Sequence, residues 1–87
     1  MAEVLITFKI MPAEADVNVD SIRDAIKKIK TARLSKIEKE PIAFGLVALK
    51  PSFIANDEGG AADEIEKELK KIAGVGSAEV IEVTRLL

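Results

Sequence analysis

The sequence predicts an α+β, ferredoxin-like fold: a split βαβ (βαββαβ) sandwich with a four-stranded antiparallel sheet and two helices on one face. Three observations lead there. Residues 3–11, "EVLITFKIM", alternate, with Val4, Ile6, Phe8 and Ile10 on one side and Glu3, Leu5, Thr7 and Lys9 on the other. Two stretches, 19–31 and 62–72, repeat apolar residues at helical spacing. The elements run strand, helix, strand, strand, helix, strand. Right-handed crossovers then place both helices on one side of the sheet and leave the other open.

Each element has its local reason. After the first strand, "PAEADVN" is a loop, and Asn18 is an N-cap whose side-chain oxygen can accept an orphan backbone N–H. Val19, Ile22, Ala25, Ile26 and Ile29 form the buried stripe of the first helix. "RLSKIEKE" (33–40) reads as a polar edge strand. Leu34 and Ile37 do not alternate cleanly there, and Lys36 and Lys39 protect the edge from adding another chain. Pro41 opens a turn, followed by "GLVALKPSFIA" (45–55), apolar on both faces as in an inner strand. Val47, Leu49 and Phe53 should point to the helices. Pro51 cannot donate to a ladder, so a bulge or a lost pairing is expected there. "NDEGG" (56–60) leads into the second helix, whose stripe is Ala62, Ile65, Leu69 and Ile72. Acidic residues open it, lysines follow and Gly74 stops it. "SAEVIEVTRLL" (77–87) is the last strand.

Composition narrows the function classes. The chain has 87 residues, the size of one domain, read here as a single unit over 1–87. At 48% hydrophobic and 32% charged it has a globular balance. Its net charge of −2 suggests neither nucleic acid nor membrane as a partner. With no cysteine and no histidine, disulfides, thiolate zinc sites, imidazole bases and cysteine nucleophiles are all excluded. The N-terminus lacks signal-peptide features and no apolar run is long enough to span a membrane, so a cytoplasmic protein is expected.

The candidates for chemistry are few. "EGG" (58–60) opens a helix, but Asp57, Glu58, Asp63 and Glu64 around it repel an anion, and no lysine follows at P-loop spacing. The same carboxylates lack calcium-loop spacing. No serine has a histidine to activate it, so no bond-making chemistry, metal or cofactor is expected. Lys27, Lys28, Lys30, Arg33, Lys36 and Lys39 form a basic stretch, but the open-face positions of the middle strands carry no aromatic platform for RNA. Two features remain. Phe44, in "PIAFG" (41–45), is one of three aromatic residues and sits at a turn. Either its ring folds back on Pro41 or Leu46, or it is presented to another protein. Arg85 stands beside the carboxyl terminus.

"EPIAFGLVAL" (40–49), with "GVGSAEVIEVTRLL" (74–87), resembles the archaeal elongation factor 1-beta family, the counterpart of the exchange domain of the eukaryotic factor. The resemblance covers the whole chain. It includes "VLITFKIMP", "ADVNVDSIRDAI" and "DEGG", and "PIAFGLVAL" is its most specific segment. It implies a guanine-nucleotide exchange factor acting on elongation factor 1-alpha, without nucleic acid or membrane as direct partner. It also implies that Phe44 docks in a pocket of that GTPase, flanked by Pro41 and Gly45. Arg85 matches the position of a C-terminal lysine that reaches the GTPase's magnesium site, with Leu86 and Leu87 beside it. A cation there competes with Mg²⁺ for its ligands, and an aromatic wedge nearby biases the switch geometry, so nucleotide leaves faster. The alternatives are an RNA-binding or ribosome-associated module of the same fold, or a small-ligand regulatory domain, a class that commonly pairs such sheets edge to edge.

Overall fold

The computed structural model describes residues 3–30, 32–42, 45–56 and 60–86. Its elements are β1 (Glu3–Pro12), α1 (Val19–Lys27), β2 (Arg33–Pro41), β3 (Val47–Asn56), α2 (Ala61–Lys70) and β4 (Val75–Leu86). The strands form one sheet in the order β2-β3-β1-β4, antiparallel throughout. This is the ferredoxin-like arrangement expected from the sequence.

The helices are shorter than their stripes. Asn18 caps α1 as expected, accepting from the Asp20 N–H at 2.9 Å. The helix ends at Lys27 rather than near residue 31, because the N–H groups of Lys28 and Ile29 turn back to the carbonyls of Ala25 and Ile26. Those tighter bonds close the last turn. Ile29 still packs against the core from beyond the helix. α2 ends at Lys70, and Gly74 (φ 92°) turns the chain into β4 two residues earlier than the sequence suggests.

The core lies between the helices and one face of the sheet. β1 supplies Val4, Ile6, Phe8 and Ile10, β3 supplies Leu49 and Phe53, and the helices add Ile22, Ile26, Ile65 and Leu69. Phe8 and Phe53 meet edge to face, with centroids 6.0 Å apart, a favoured aromatic geometry. Val47 departs from expectation. It is half-buried opposite Pro41, at the end of its strand and outside this cluster.

Pro51 does interrupt pairing, and only on one side. It keeps its place opposite Ile37 in β2, whereas the β1 ladder skips from Thr7–Ser52 to Ile10–Leu49 without changing register. The bulge lies in β2 instead, between Leu34 and Lys36. One extra residue there returns Leu34 and Ile37 to the same face, and both pack on the core. The broken alternation of "RLSKIEKE" is this bulge. β4 has two more irregularities, opposite Thr7/Phe8 and Met11/Pro12. At the second, a Cβ on Gly76 would lie 2.8 Å from the Ala13 Cα, so the close approach of backbone requires glycine.

Candidate partner-binding site

The β2–β3 hairpin is built from its two ends inward. Pro41 is exposed at the end of β2, opposite Val47. The Ile42 N–H donates to the Leu46 carbonyl at 2.7 Å, which closes the loop. Gly45 has φ 77° and is exposed, a left-handed position that favours glycine. Phe44 lies outside the described residues, as does Ala43.

The base of this hairpin is braced from both faces by ion pairs that sequence reading did not anticipate. On the open face, Lys50 Nζ donates to Glu40 Oε2 at 2.8 Å, and Lys9 Nζ stands 4.0 Å from Glu40 Oε1. The Lys50 hydrogen bond is the main reason that the Glu40 carboxyl is held below its usual range, against partial desolvation, and the Lys50 and Lys9 charges add to it. The same bond raises Lys50. On the helix face, Lys39 Nζ donates to Asp20 Oδ1 at 2.8 Å. That bond, then the Lys39 charge and the charge of Arg23 at 3.7 Å, lower Asp20. Lys39 and Glu40 point to opposite faces immediately before Pro41, so each clamps one side of the strand that carries the turn. The sequence signal is weak: a lysine and a glutamate side by side in a charged strand.

The C-terminal candidates sit elsewhere. Arg85 pairs with Val4 and Leu86 with Glu3 across the β1–β4 ladder. Arg85 therefore lies on the helix side of the sheet and Leu86 on the open side. Both are exposed. Leu87 lies outside the described residues. In register, Glu3 is level with Asn56 and Leu86, while Pro12 is level with Val75. The hairpin thus projects from one end of the sheet and Arg85 from the other. The ten residues of β1 separate them by about 30 Å, at roughly 3.3 Å per residue.

The remaining candidates are brought together only in part. The helix-opening acidic cluster keeps Asp63 and Glu64, exposed in the first turn of α2, while Asp57 and Glu58 lie outside the described residues. Among the described residues no group of three or more acidic side chains converges as a metal site. The basic stretch is dispersed, with Lys39 bound to Asp20 and Lys36 3.9 Å from Glu38. Thr7 and Ser52 hydrogen-bond to each other at 2.9 Å in the middle of the open face. No helix among the described residues is long and apolar enough to cross a membrane.

The fold is thus a ferredoxin-like sheet with one open face, carrying a braced hairpin at one end and the end of β4 at the other. The same architecture occurs in the ACT domain from GTP pyrophosphokinase of Chlorobium tepidum, with a TM-score of 0.66 over 91% of this chain and 99% of that one. At 17% identity that likeness shows the fold alone. Residues 5–86 match the model of the EF-1 guanine nucleotide exchange domain, and the chain belongs to that family. Its relatives include elongation factor 1-beta of Methanoculleus marisnigri, 43% identical over 97% of this chain and 98% of the relative. That of Methanobrevibacter smithii is 43% identical over the full length of both. The Pyrococcus horikoshii factor is 42% identical over 90% of this chain and 89% of its own. The family places the chain in guanine-nucleotide exchange during translation elongation.

Proposed function

We propose that this chain binds the GDP-bound form of elongation factor 1-alpha in the cytoplasm and accelerates GDP release. It makes no bond of its own and acts by holding the GTPase in a state that retains nucleotide poorly. The match to the exchange-domain family over residues 5–86 carries this reading. The placement of the two candidate regions at opposite ends of the sheet supports a two-point grip. At one end Phe44, framed by Pro41 and Gly45, enters an apolar pocket of the GTPase. At the other, the Arg85 guanidinium competes with Mg²⁺ for the oxygen ligands that hold the phosphates, with Leu86 and Leu87 against the surrounding surface. A spacing of about 30 Å asks the partner for two separate contact regions.

The RNA-binding alternative loses support on the open face. Lys9 and Lys50 both point at Glu40, and Lys36 stands near Glu38, so these cations face carboxylates. The decisive experiment is release of fluorescent GDP from elongation factor 1-alpha. The unmodified chain accelerates release. Arg85→Ala slows it while leaving the melting temperature nearly unchanged, because the residue is exposed. Arg85→Lys restores it, since an ammonium also competes with Mg²⁺. No acceleration by the unmodified chain at any concentration rules out the exchange reading. Full activity in Arg85→Ala removes the C-terminal contact from it.

A further inference from the structure

The sheet has two edges, and they are built in opposite ways. β2 carries Arg33, Lys36, Glu38, Lys39 and Glu40, a charged edge that discourages pairing with another strand. β4 is twelve residues long, and positions 79–86 are exposed throughout. Every large apolar side chain exposed among the described residues lies on it: Val80, Ile81, Val83 and Leu86. Ile81 and Val83 are 45% and 58% exposed. β1 occupies one edge of this strand, and the sheet order leaves its other edge without a neighbouring strand.

We propose that β4 pairs edge to edge, antiparallel, with β4 of a second copy of this chain. The two sheets then join into one of eight strands. A second copy fits because the strand can be set against itself without opposing like charges. Two-fold pairing must set side chains of the same face opposite each other. Centring the axis at Glu82 would oppose that carboxylate to its own copy. Centring it at Val83 sets Val83 against the second copy's Val83 and Glu82 against the second copy's Thr84. No like charges then face each other over 82–84, and the most exposed apolar side chain of the strand becomes buried. The region past the irregularity opposite Thr7/Phe8 runs from Glu82 to Leu86 in unbroken register with β1, so it offers a regular ladder edge. The inference does not rest on the exchange function. If that function holds, Arg85 and Leu86 lie at the seam, and dimer and GTPase compete for the same strand end.

Sedimentation equilibrium of the full chain alone, from about 1 µM to 1 mM, tests the pairing. The expected result is a mass that rises from one chain to two. Val83→Lys should move that rise at least about tenfold higher in concentration, and Lys36→Glu on the charged β2 edge should leave it in place. A mass of one chain throughout overturns the proposal, and so does a dimer undiminished in Val83→Lys. Amide exchange of the unmodified chain gives a readout that needs no variant. Protection over residues 82–85 rises with concentration if β4 pairs, and stays constant if it does not.

Discussion

Phe44 and Arg85 are the two candidate contact residues that the sequence offers. The turn that carries Phe44 is set by Pro41, by the bond from Ile42 to Leu46 and by the left-handed Gly45. None of these needs an aromatic ring. An aromatic ring has few rotatable bonds to fix on docking, and buried aromatics dominate many interfaces. Phe44→Ala should therefore change folding stability by less than about 1 kcal/mol. Titration calorimetry with elongation factor 1-alpha should show binding weakened at least about tenfold, or 1.4 kcal/mol. A large loss of stability with unchanged affinity would mean instead that the ring staples its own hairpin. Arg85 belongs to a ladder pair with Val4, so its backbone is fixed although its side chain is exposed. That suits a cation which must arrive at one place on a partner.

At the scale of the element, the hairpin is positioned by ion pairs on both faces of β2. They lie at the surface, exposed or half-buried, so their worth is modest and falls with salt. Their pH dependence has a definite sign. Glu40 and Asp20 have carboxyl pKa values lowered by their lysine partners. Each contributes stability above its unfolded pKa, which is about 4 for these groups, and loses it as pH falls through the lower folded value. Melting curves between about pH 7 and pH 2 should show the chain losing stability below about pH 4. In Lys50→Ala the Glu40 share is already gone. The gap between this variant and the unmodified chain should narrow steadily as acid neutralises Glu40. A gap that stays constant down to the lowest pH would show that Lys50 acts through packing of its stem rather than through the charge pair.

For the whole molecule, stability comes from one layer of side chains between the helices and the sheet. Ile26 and Leu69 are fully buried, one from each helix. Truncating either to alanine removes contacts that the surrounding structure replaces only in part. Ile26→Ala or Leu69→Ala should each cost about 2–5 kcal/mol in urea unfolding. A loss near zero for both would mean that these side chains do not hold the helices to the sheet. β4 lies mostly outside this layer. Beyond Ala78 its side chains are exposed, and the strand is held by its ladder with β1. The fold thus keeps its most apolar edge away from its own core.

The sequence by itself determined the element order, the fold class and nearly all the core. Those follow from local periodicity: two-residue alternation in β1 and helical spacing in the two stripes are properties of neighbouring residues. It also carried "PIAFG" and the C-terminal arginine as candidates, through resemblance to a family that the match over residues 5–86 bears out. Tertiary structure decided what depends on residues far apart in the chain. The β2 bulge appears only when Leu34 and Lys36 are set against Phe53 and Ser52, although its trace is visible as a broken alternation. The clamp of Lys9 and Lys50 on Glu40 needs three strands in register. The separation of the hairpin from Arg85 comes from antiparallel pairing, which sends a turn and a strand end to opposite ends of the sheet. The exposure of β4 follows from strand order: a strand at the edge has one neighbour, and its apolar residues stay in solvent unless another chain covers them.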